Sequence, residues 1–168
     1  MARKANARLL DAGDTFPELE LTLTDGKRLS LPGGLTQPFN VVLVNRGAWC
    51  PFCIGQLKGF QSGLSKLAQE GIGVVSFSSD TREKAAAVVA ENKIEFPIGY
   101  GASVDASAEA LGVYYDPKPA HIAPYLQSAG FVLGPGAKVL NAVYSSGAIG
   151  RLVWQDVLGL VQYIKAHS

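Results

Sequence analysis

The chain has two cysteines, and both lie in one tetrapeptide, Cys50-Pro51-Phe52-Cys53. The segment before them is apolar like a buried strand, and the segment after them has helical periodicity, so the pair is predicted at the start of a helix. Free backbone N–H groups and the helix dipole at such a position favour the thiolate, which is the reactive form of cysteine. The spacing therefore predicts redox chemistry at Cys50 and Cys53.

Each residue around the pair has a predicted role. One helical turn brings the two Cα atoms within the roughly 4.4–6.8 Å that a disulfide needs. Cys50, at the mouth of the helix, is expected to be more accessible and to act as the nucleophile, while Cys53 faces inward and resolves it. Pro51 suits the first helical position, where its missing N–H costs nothing. Trp49 is expected to shield the sulfur, and Arg46, the nearest cation in sequence, to favour the thiolate.

A zinc site is the main alternative for a close cysteine pair. Zinc needs two further ligands, and the only histidines, His121 and His167, fit no ligand spacing. We therefore expect neither a metal nor another cofactor. In a reducing compartment a close pair is more often catalytic than a structural disulfide.

Composition and charge exclude several classes of protein. With 168 residues, 48% hydrophobic and 17% charged, the chain is expected to form one folded domain. A net charge of +1 argues against a nucleic-acid partner. No apolar run is long enough to span a membrane, and no apolar stretch of about 7–15 residues follows the basic N-terminal residues, so we expect neither a membrane protein nor a signal peptide. The expected location is cytoplasmic.

The elements that must position the pair follow from apolar periodicity and turn residues. The predicted strands are a hairpin over residues 19–23 and 28–31, single strands over Phe39–Val44, Ile72–Phe77 and Ile98–Tyr100, and a second hairpin over Phe131–Leu133 and Val139–Tyr144. The predicted helices cover about Pro51–Glu70, Asp80–Asn92 and Ala106–Leu111, and a final helix includes Val153 and Ile164. A capping box at Asp80 and Glu83 opens the second of these helices. This order predicts an α/β thioredoxin fold, a mixed central sheet with helices on both faces, with an N-terminal β-hairpin extension. Residues 1–12 are predicted as a flexible tail, residues 13–168 as one domain, and residues 113–129 as a long loop.

Three glycines, Gly55, Gly59 and Gly63, recur every four residues along the first predicted helix, opposite its apolar stripe. Each costs about 1 kcal/mol relative to alanine. They are either tolerated surface positions or sites of close approach by another segment or a second subunit. The pattern is compatible with a homodimer but does not require one.

Motifs over about residues 13–165 resemble the AhpC/TSA branch of the thioredoxin superfamily, the peroxiredoxin-like proteins or redoxins. Gly13–Leu19 and Asp25–Leu31 resemble the first hairpin of the family. Arg46–Cys53, RGAWCPFC, resembles the RGxWCPxC variant of its active site, and Tyr144–Leu152 is similar to sequences of that subgroup. The CxxC with its preceding tryptophan is also similar to thioredoxin, and the tetrapeptide to glutaredoxin.

The chain departs from true peroxiredoxins in supporting residues. Cys50-Pro51 matches their peroxidatic Cys-Pro, but in their motif Pro-x-x-x-Thr/Ser-x-x-Cys the proline position is Leu43 and the hydroxyl position is Gly47. The family's arginine before a late strand aligns with Ser128. Thioredoxin-like reductases carry a cis-proline near this place, and here the nearest proline is Pro124, four residues upstream.

The resemblance implies a thiol-dependent antioxidant enzyme in which Cys50 attacks a hydroperoxide and Cys53 resolves the product to an intramolecular disulfide. An external thiol donor such as thioredoxin, glutaredoxin or glutathione would re-reduce it. One alternative is a thiol–disulfide oxidoreductase acting on protein or small-molecule disulfides. Another is a non-catalytic binding domain that kept the fold. Arg46 and Arg151 are candidates for the role of the missing arginine, and the sequence leaves open whether either reaches the sulfur.

Overall fold

The structure is a computed structural model that describes residues 2–4 and 8–168. Its strands are β1 (Arg3–Lys4), β2 (Leu19–Leu23), β3 (Arg28–Leu31), β4 (Phe39–Val44), β5 (Ile72–Phe77), β6 (Ile98–Tyr100), β7 (Tyr114–Asp116), β8 (Tyr125–Leu126), β9 (Ala129–Leu133) and β10 (Val139–Tyr144). Its helices are α1 (Pro51–Gln69), α2 (Arg82–Asn92), α3 (Val104–Leu111) and α4 (Trp154–Ala166), with a 3-10 turn over Pro135–Ala137. In the described ranges no helix is long and apolar enough to cross a membrane.

A seven-stranded mixed sheet forms the centre of the molecule, in the order β10-β9-β4-β5-β6-β2-β3. Strands β4, β5 and β6 run parallel, whereas β9 is antiparallel to β4 and β2 is antiparallel to β6. Helices α1, α2 and α4 pack against one face, and α3 packs against the other. The predicted thioredoxin fold with its N-terminal hairpin, β2–β3, is confirmed.

The cysteine segment follows the carboxyl end of β4, a central strand of the sheet. All six residues of β4 are buried because its apolar run faces a core on each side. Val41 and Leu43 contribute to the core under α1 and α4, and Val42 and Val44 to the core under α3. Burying each such side chain stabilises the fold by roughly 1.5–3 kcal/mol. The chain leaves this rigid strand at Val44 and enters α1 seven residues later.

Two segments predicted to lack regular structure contain short strands. Strand β1 pairs with β7, and β7 pairs with β8, which makes a separate three-stranded sheet. The structure therefore differs from a flexible tail at Arg3–Lys4 and from a plain loop over residues 113–129. Strands of two or three residues are too short to show the alternation that identifies a strand in a sequence. Residues 1 and 5–7 of the predicted tail lie outside the described residues.

Helix α2 begins at Arg82, and its N-cap lies one residue later than predicted. Thr81 is its N-cap, and the Thr81 hydroxyl accepts a hydrogen bond from the Lys84 N–H at 3.4 Å. The predicted capping residue, Asp80, accepts a hydrogen bond from the Ala48 N–H at 2.7 Å instead. The capping prediction at Asp80 was wrong because this carboxylate serves the cysteine segment.

The glycine stripe of α1 is explained at one position by close approach of α4. A Cβ atom on Gly63 would lie 2.2 Å from Cδ2 of Trp154, so only glycine fits there. A Cβ on Gly59 would lie 3.9 Å from the same side chain, and one on Gly55 would meet open space. Another segment of this chain, α4, therefore accounts for Gly63.

Candidate active site

The two cysteines occupy the first turn of α1. Cys50 is the N-cap, and its sulfur accepts a hydrogen bond from the Cys53 N–H at 3.4 Å, while Pro51 takes the first helical position as predicted. The Cys53 sulfur accepts one from the Arg46 N–H at 3.1 Å. Both cysteines are 0% exposed. The structure does not confirm that Cys50 is the more exposed of the two, because guanidinium groups lie against its sulfur.

Two arginines reach the Cys50 sulfur, one close to it in sequence and one about 100 residues away. Arg46 Nη1 lies 3.6 Å from it, and Arg151 Nη2 also lies 3.6 Å from it. Arg46 follows β4, whereas Arg151 lies in the connection between β10 and α4. Both residues proposed from the sequence for the electrostatic role are therefore in contact with the sulfur.

Arg151 is held by a set of polar partners. Its Nη1 donates to the Ser128 hydroxyl at 2.7 Å and to Gln56 Oε1 at 3.4 Å, and its Nη2 donates to the Ala148 carbonyl at 3.0 Å. Gln56 is itself fixed, because its Nε2 donates to the Leu152 carbonyl at 2.8 Å. Ser128 is the residue that aligns with the arginine of true peroxiredoxins. Here the guanidinium comes from another segment, and Ser128 binds it.

Arg46 is held mainly by aromatic rings. Its guanidinium carbon lies 4.7 Å from the centroid of the Trp49 ring and 5.3 Å from that of the Tyr125 ring. Its Nη2 is 3.4 Å from the Tyr125 hydroxyl, and the two rings meet edge to face at 4.9 Å. Trp49 was expected to shield the sulfur, but the structure places its ring against Arg46 and leaves it 40% exposed.

The backbone conformation and the packing at Gly47 both disfavour the threonine or serine that true peroxiredoxins carry at this position. The φ of Gly47 is +146°, a conformation that other residues rarely adopt. A Cβ atom there would lie 2.5 Å from Nε1 of Trp49 and 3.1 Å from Oδ1 of Asp80. The position of Trp49 therefore excludes the side chain that orients peroxide in true peroxiredoxins.

The surroundings make Cys50 a thiolate and keep Cys53 protonated. A hydrogen bond from the Cys53 thiol, opposed by burial and aided by the Cys53 N–H, Arg46 and Arg151, lowers the pKa of Cys50 to about 5. The same thiol hydrogen bond, together with burial, raises the pKa of Cys53 above its usual range. The pair therefore carries a single negative charge at neutral pH, on Cys50.

Each arginine opens onto a different cleft. A cleft of about 530 Å³, here called the Arg46 cleft, is lined by Arg46, Trp49, Lys84, Ile122 and Tyr125 among others. A cleft of about 400 Å³ on the other flank is lined by Arg151 and by the facing sides of α1 and α4.

Two residues of this site, Gln56 and Tyr125, are not assigned a role by the sequence. Gln56 lies one turn after Cys53 on the inward face of α1, a spacing that could have identified it. Tyr125 is one of several tyrosines on the predicted long loop, and no pattern in the sequence singles it out as the one whose hydroxyl reaches Arg46. Within the described part of the chain, no group of three or more His, Cys, Asp or Glu side chains is arranged to hold a metal.

Comparisons with known proteins identify the family. The model of the AhpC/TSA family matches residues 12–139. The chain belongs to the AhpC/TSA family. No curated protein matches it. Membership of this family supports a peroxiredoxin-like thiol-dependent peroxidase, while the RGxWCPxC subgroup stays a prediction.

Solved structures agree on the fold. The peroxidoxin BcpB of Mycobacterium tuberculosis is 21% identical, with a TM-score of 0.78 over 92% of this chain and 98% of that one. A peroxiredoxin-like protein from Aquifex aeolicus is 17% identical, with a TM-score of 0.77 over 94% and 90%. The AhpC of Mycobacterium tuberculosis is 17% identical, with a TM-score of 0.76 over 96% of each chain. At these identities the likeness concerns the fold.

Proposed function

We propose that this AhpC/TSA protein reduces hydroperoxides with Cys50 as the peroxidatic thiolate and Cys53 as the resolving thiol. An external thiol such as thioredoxin, glutaredoxin or glutathione then restores the dithiol. The observation that carries the proposal is the Cys50 sulfur, buried at a helix N-terminus between two guanidinium groups at 3.6 Å each. A cytoplasmic location belongs to the proposal, because a reducing compartment supplies the donor.

The first step uses the charge on Cys50. Its thiolate attacks one oxygen of the hydroperoxide, so that an S–O bond forms and the O–O bond breaks. The departing oxygen carries negative charge, which Arg46 and Arg151 are placed to stabilise, and it takes a proton from solvent to leave as an alcohol or water. These arginines thus compensate for the hydroxyl that Gly47 lacks.

The second step follows from the loss of that charge. Once Cys50 is a neutral sulfenic acid, the hydrogen bond and negative charge that raise the pKa of Cys53 are gone. The Arg46 N–H and the positive charge of Arg151 remain beside Cys53, and both favour its thiolate. Cys53 then attacks the Cys50 sulfur, so that an S–S bond forms, the S–O bond breaks and water leaves.

Thiol–disulfide exchange is the second candidate, favoured by the hydrogen-bonded pair at the start of α1. Burial of both sulfurs counts against a protein disulfide as substrate, because a bulky disulfide must approach the attacking sulfur in line. A hydroperoxide is smaller than a protein disulfide and needs less displacement of the side chains that cover Cys50.

Stopped-flow mixing of the reduced protein with hydrogen peroxide, followed by tryptophan fluorescence and thiol loss, tests the proposal. We expect Cys50 to oxidise orders of magnitude faster than free cysteine and to form a disulfide with Cys53. Cys50→Ser should abolish the fast phase, and Cys53→Ser should retain it but stop at a sulfenic acid that a dimedone probe traps. A rate equal to that of free cysteine would refute the peroxidase and move the test to disulfide substrates.

A further inference from the structure

The charge balance around Cys50 changes when the pair is oxidised. Within the described ranges, neither Arg46 nor Arg151 forms an ion pair with a carboxylate, and the ion pairs lie elsewhere on the surface. The Cys50 thiolate is therefore the anion that both guanidinium groups contact. In the Cys50–Cys53 disulfide that negative charge is gone, and two partly buried cations remain.

Of the two cations, Arg46 is the one that a ligand in the Arg46 cleft can reach. The Nε of each arginine is buried without a hydrogen-bond partner, but the guanidinium of Arg151 has three polar acceptors, whereas that of Arg46 is held mainly by aromatic rings. Lys84 and His121 line the same cleft. Asp80 also lines the cleft, and it keeps its negative charge while it accepts a hydrogen bond from the Ala48 N–H. Once the thiolate is lost, the positive charges of Arg46 and Lys84 therefore outnumber the single negative charge of Asp80.

Part of the cleft lining has backbone groups that can form hydrogen bonds with a peptide. In the part of the chain that the structure describes, no backbone–backbone hydrogen bond involves residues 119–123, three of which (Ala120, His121 and Ile122) line the cleft. Trp49 and Ile122, 40% and 39% exposed, add apolar surface. The volume of about 530 Å³ falls within the roughly 300–1,000 Å³ typical of small-molecule sites. These features suit a short acidic peptide.

We propose that the Arg46 cleft binds a small peptide thiol with carboxylate groups, of the glutathione class, and that formation of the Cys50–Cys53 disulfide switches this binding on. The inference rests on the proposed function and names its electron donor. A carboxylate of the donor takes the place of the lost thiolate as the anionic partner of Arg46, and the peptide groups of the donor pair with the backbone of residues 120–123.

The redox state in which a ligand binds distinguishes a site for the electron donor from a site for the hydroperoxide. A hydroperoxide must bind while Cys50 is a thiolate, when Arg46 is already engaged by it. A reductant must bind after the disulfide has formed, when Arg46 has lost that partner. The geometry thus favours the second kind of ligand.

The exchange balances with two donor molecules. Arg46 turns from the Cys50 sulfur toward the donor carboxylate and uncovers that sulfur for a peptide thiol that is much smaller than a protein disulfide. The donor thiolate attacks the Cys50 sulfur, so that a mixed disulfide forms and the Cys50–Cys53 bond breaks. Cys53 leaves as a thiolate that the Arg46 N–H, 3.1 Å from its sulfur, stabilises. A second donor thiolate attacks the donor sulfur of the mixed disulfide, which releases the oxidised donor and returns the Cys50 thiolate, while Cys53 regains a proton.

Calorimetric titration with S-methylglutathione, which cannot react, tests the inference on the intact dithiol and disulfide proteins. We expect the disulfide form to bind at least about tenfold more tightly, within the usual range of coupling between sites. Because coupling is reciprocal, saturating S-methylglutathione should lower the reduction potential of the pair by about 30 mV for each tenfold difference.

Matched variants locate the site. Lys84→Gln should weaken binding to the disulfide form several-fold, whereas Lys58→Gln, which removes the same charge from an exposed position on α1 outside the cleft, should not. The diethyl ester of S-methylglutathione should lose the preference for the disulfide form.

Equal affinity for the two forms, tighter binding to the dithiol, or no binding would overturn the inference. If any of these occurs while the peroxide burst of the unaltered protein is fast, the donor site fails and the peroxidase stands. A redox-dependent affinity without a fast burst would support the site and refute the peroxidase.

Discussion

Arg46 and Arg151 flank the same sulfur at the same 3.6 Å, but the two flanks of Cys50 are built differently. On one flank Arg151 donates to Ser128, Gln56 and the Ala148 carbonyl, so its guanidinium is fixed by three further acceptors. On the other flank Arg46 rests on the Trp49 and Tyr125 rings and makes one long hydrogen bond of 3.4 Å to the Tyr125 hydroxyl.

This difference assigns different tasks to the two cations. A donor that is already oriented stabilises developing charge without reorganisation, which is the main requirement for electrostatic catalysis. Ring faces hold a guanidinium by only about 0.5–2 kcal/mol and allow it to turn. Arg151 is therefore suited to the transition state, and Arg46 to exchanging one anion for another.

The largest effect is expected from replacing Arg151, the arginine that three further acceptors hold in place. Arg151→Met keeps most of the side-chain volume but removes the charge and the oriented donors, and should reduce the rate of Cys50 oxidation by hydrogen peroxide about 100-fold. Arg151→Lys restores the charge without the fork of donors and should recover only part of the loss. Stopped-flow rates at pH 8, where Cys50 stays largely ionised, measure the effect. A loss below threefold in Arg151→Met would refute the assignment.

Replacing Arg46, the arginine that rests on aromatic rings, should act mainly by raising the pKa of Cys50. Because the pKa of Cys50 is lowered to about 5, the protonated thiol dominates only below that pH, and the peroxide rate should be half-maximal near pH 5 and flat above about pH 7. Arg46→Met removes a hydrogen bond that favours the thiolate, so the midpoint should move to higher pH, with a rate loss of roughly tenfold at pH 5 and less at pH 8. The thiolate absorbance at 240 nm gives the pKa independently. An unchanged midpoint would contradict this role.

The two flanks also differ in how well the sequence predicts them. The CxxC, the apolar run of β4 and the helical stripe of α1 are local patterns, and they predicted the fold, the Cys50–Cys53 pair and the neighbouring Arg46. Arg151 lies about 100 residues away in sequence from Cys50, in the connection between β10 and α4. The sequence named Arg151 as a candidate for the arginine missing at Ser128, but no local pattern could tell whether it reaches the sulfur. That contact becomes visible only once the chain is folded.

A substitution at Gly47 should displace the Trp49 ring, which supports Arg46, without removing a charge from the site. Gly47→Thr restores the hydroxyl of true peroxiredoxins, but its Cβ would overlap the Trp49 ring and its backbone would hold a positive φ of 146°. We expect a destabilisation of about 1–3 kcal/mol in urea unfolding and no gain in peroxide rate. Gly47→Ala, which has the clash but no hydroxyl, is the control. A faster peroxide reaction in Gly47→Thr alone would show that the hydroxyl, not the packing, limits this enzyme.

The smallest effect is expected one step away from the sulfur, at the residue that orients the fixed arginine. Gln56→Met keeps the length of the side chain in the buried helix face but removes the acceptor at 3.4 Å from Arg151. It should slow Cys50 oxidation a few-fold and shift the midpoint of its pH profile slightly upward, because Arg151 gains freedom but keeps Ser128 and the Ala148 carbonyl. Gln69→Met, at the exposed end of the same helix, should change neither. Since a merely structural role for Gln56 would lower stability without moving the pH midpoint, measuring both quantities on the same variant decides whether Arg151 acts as a preorganised donor.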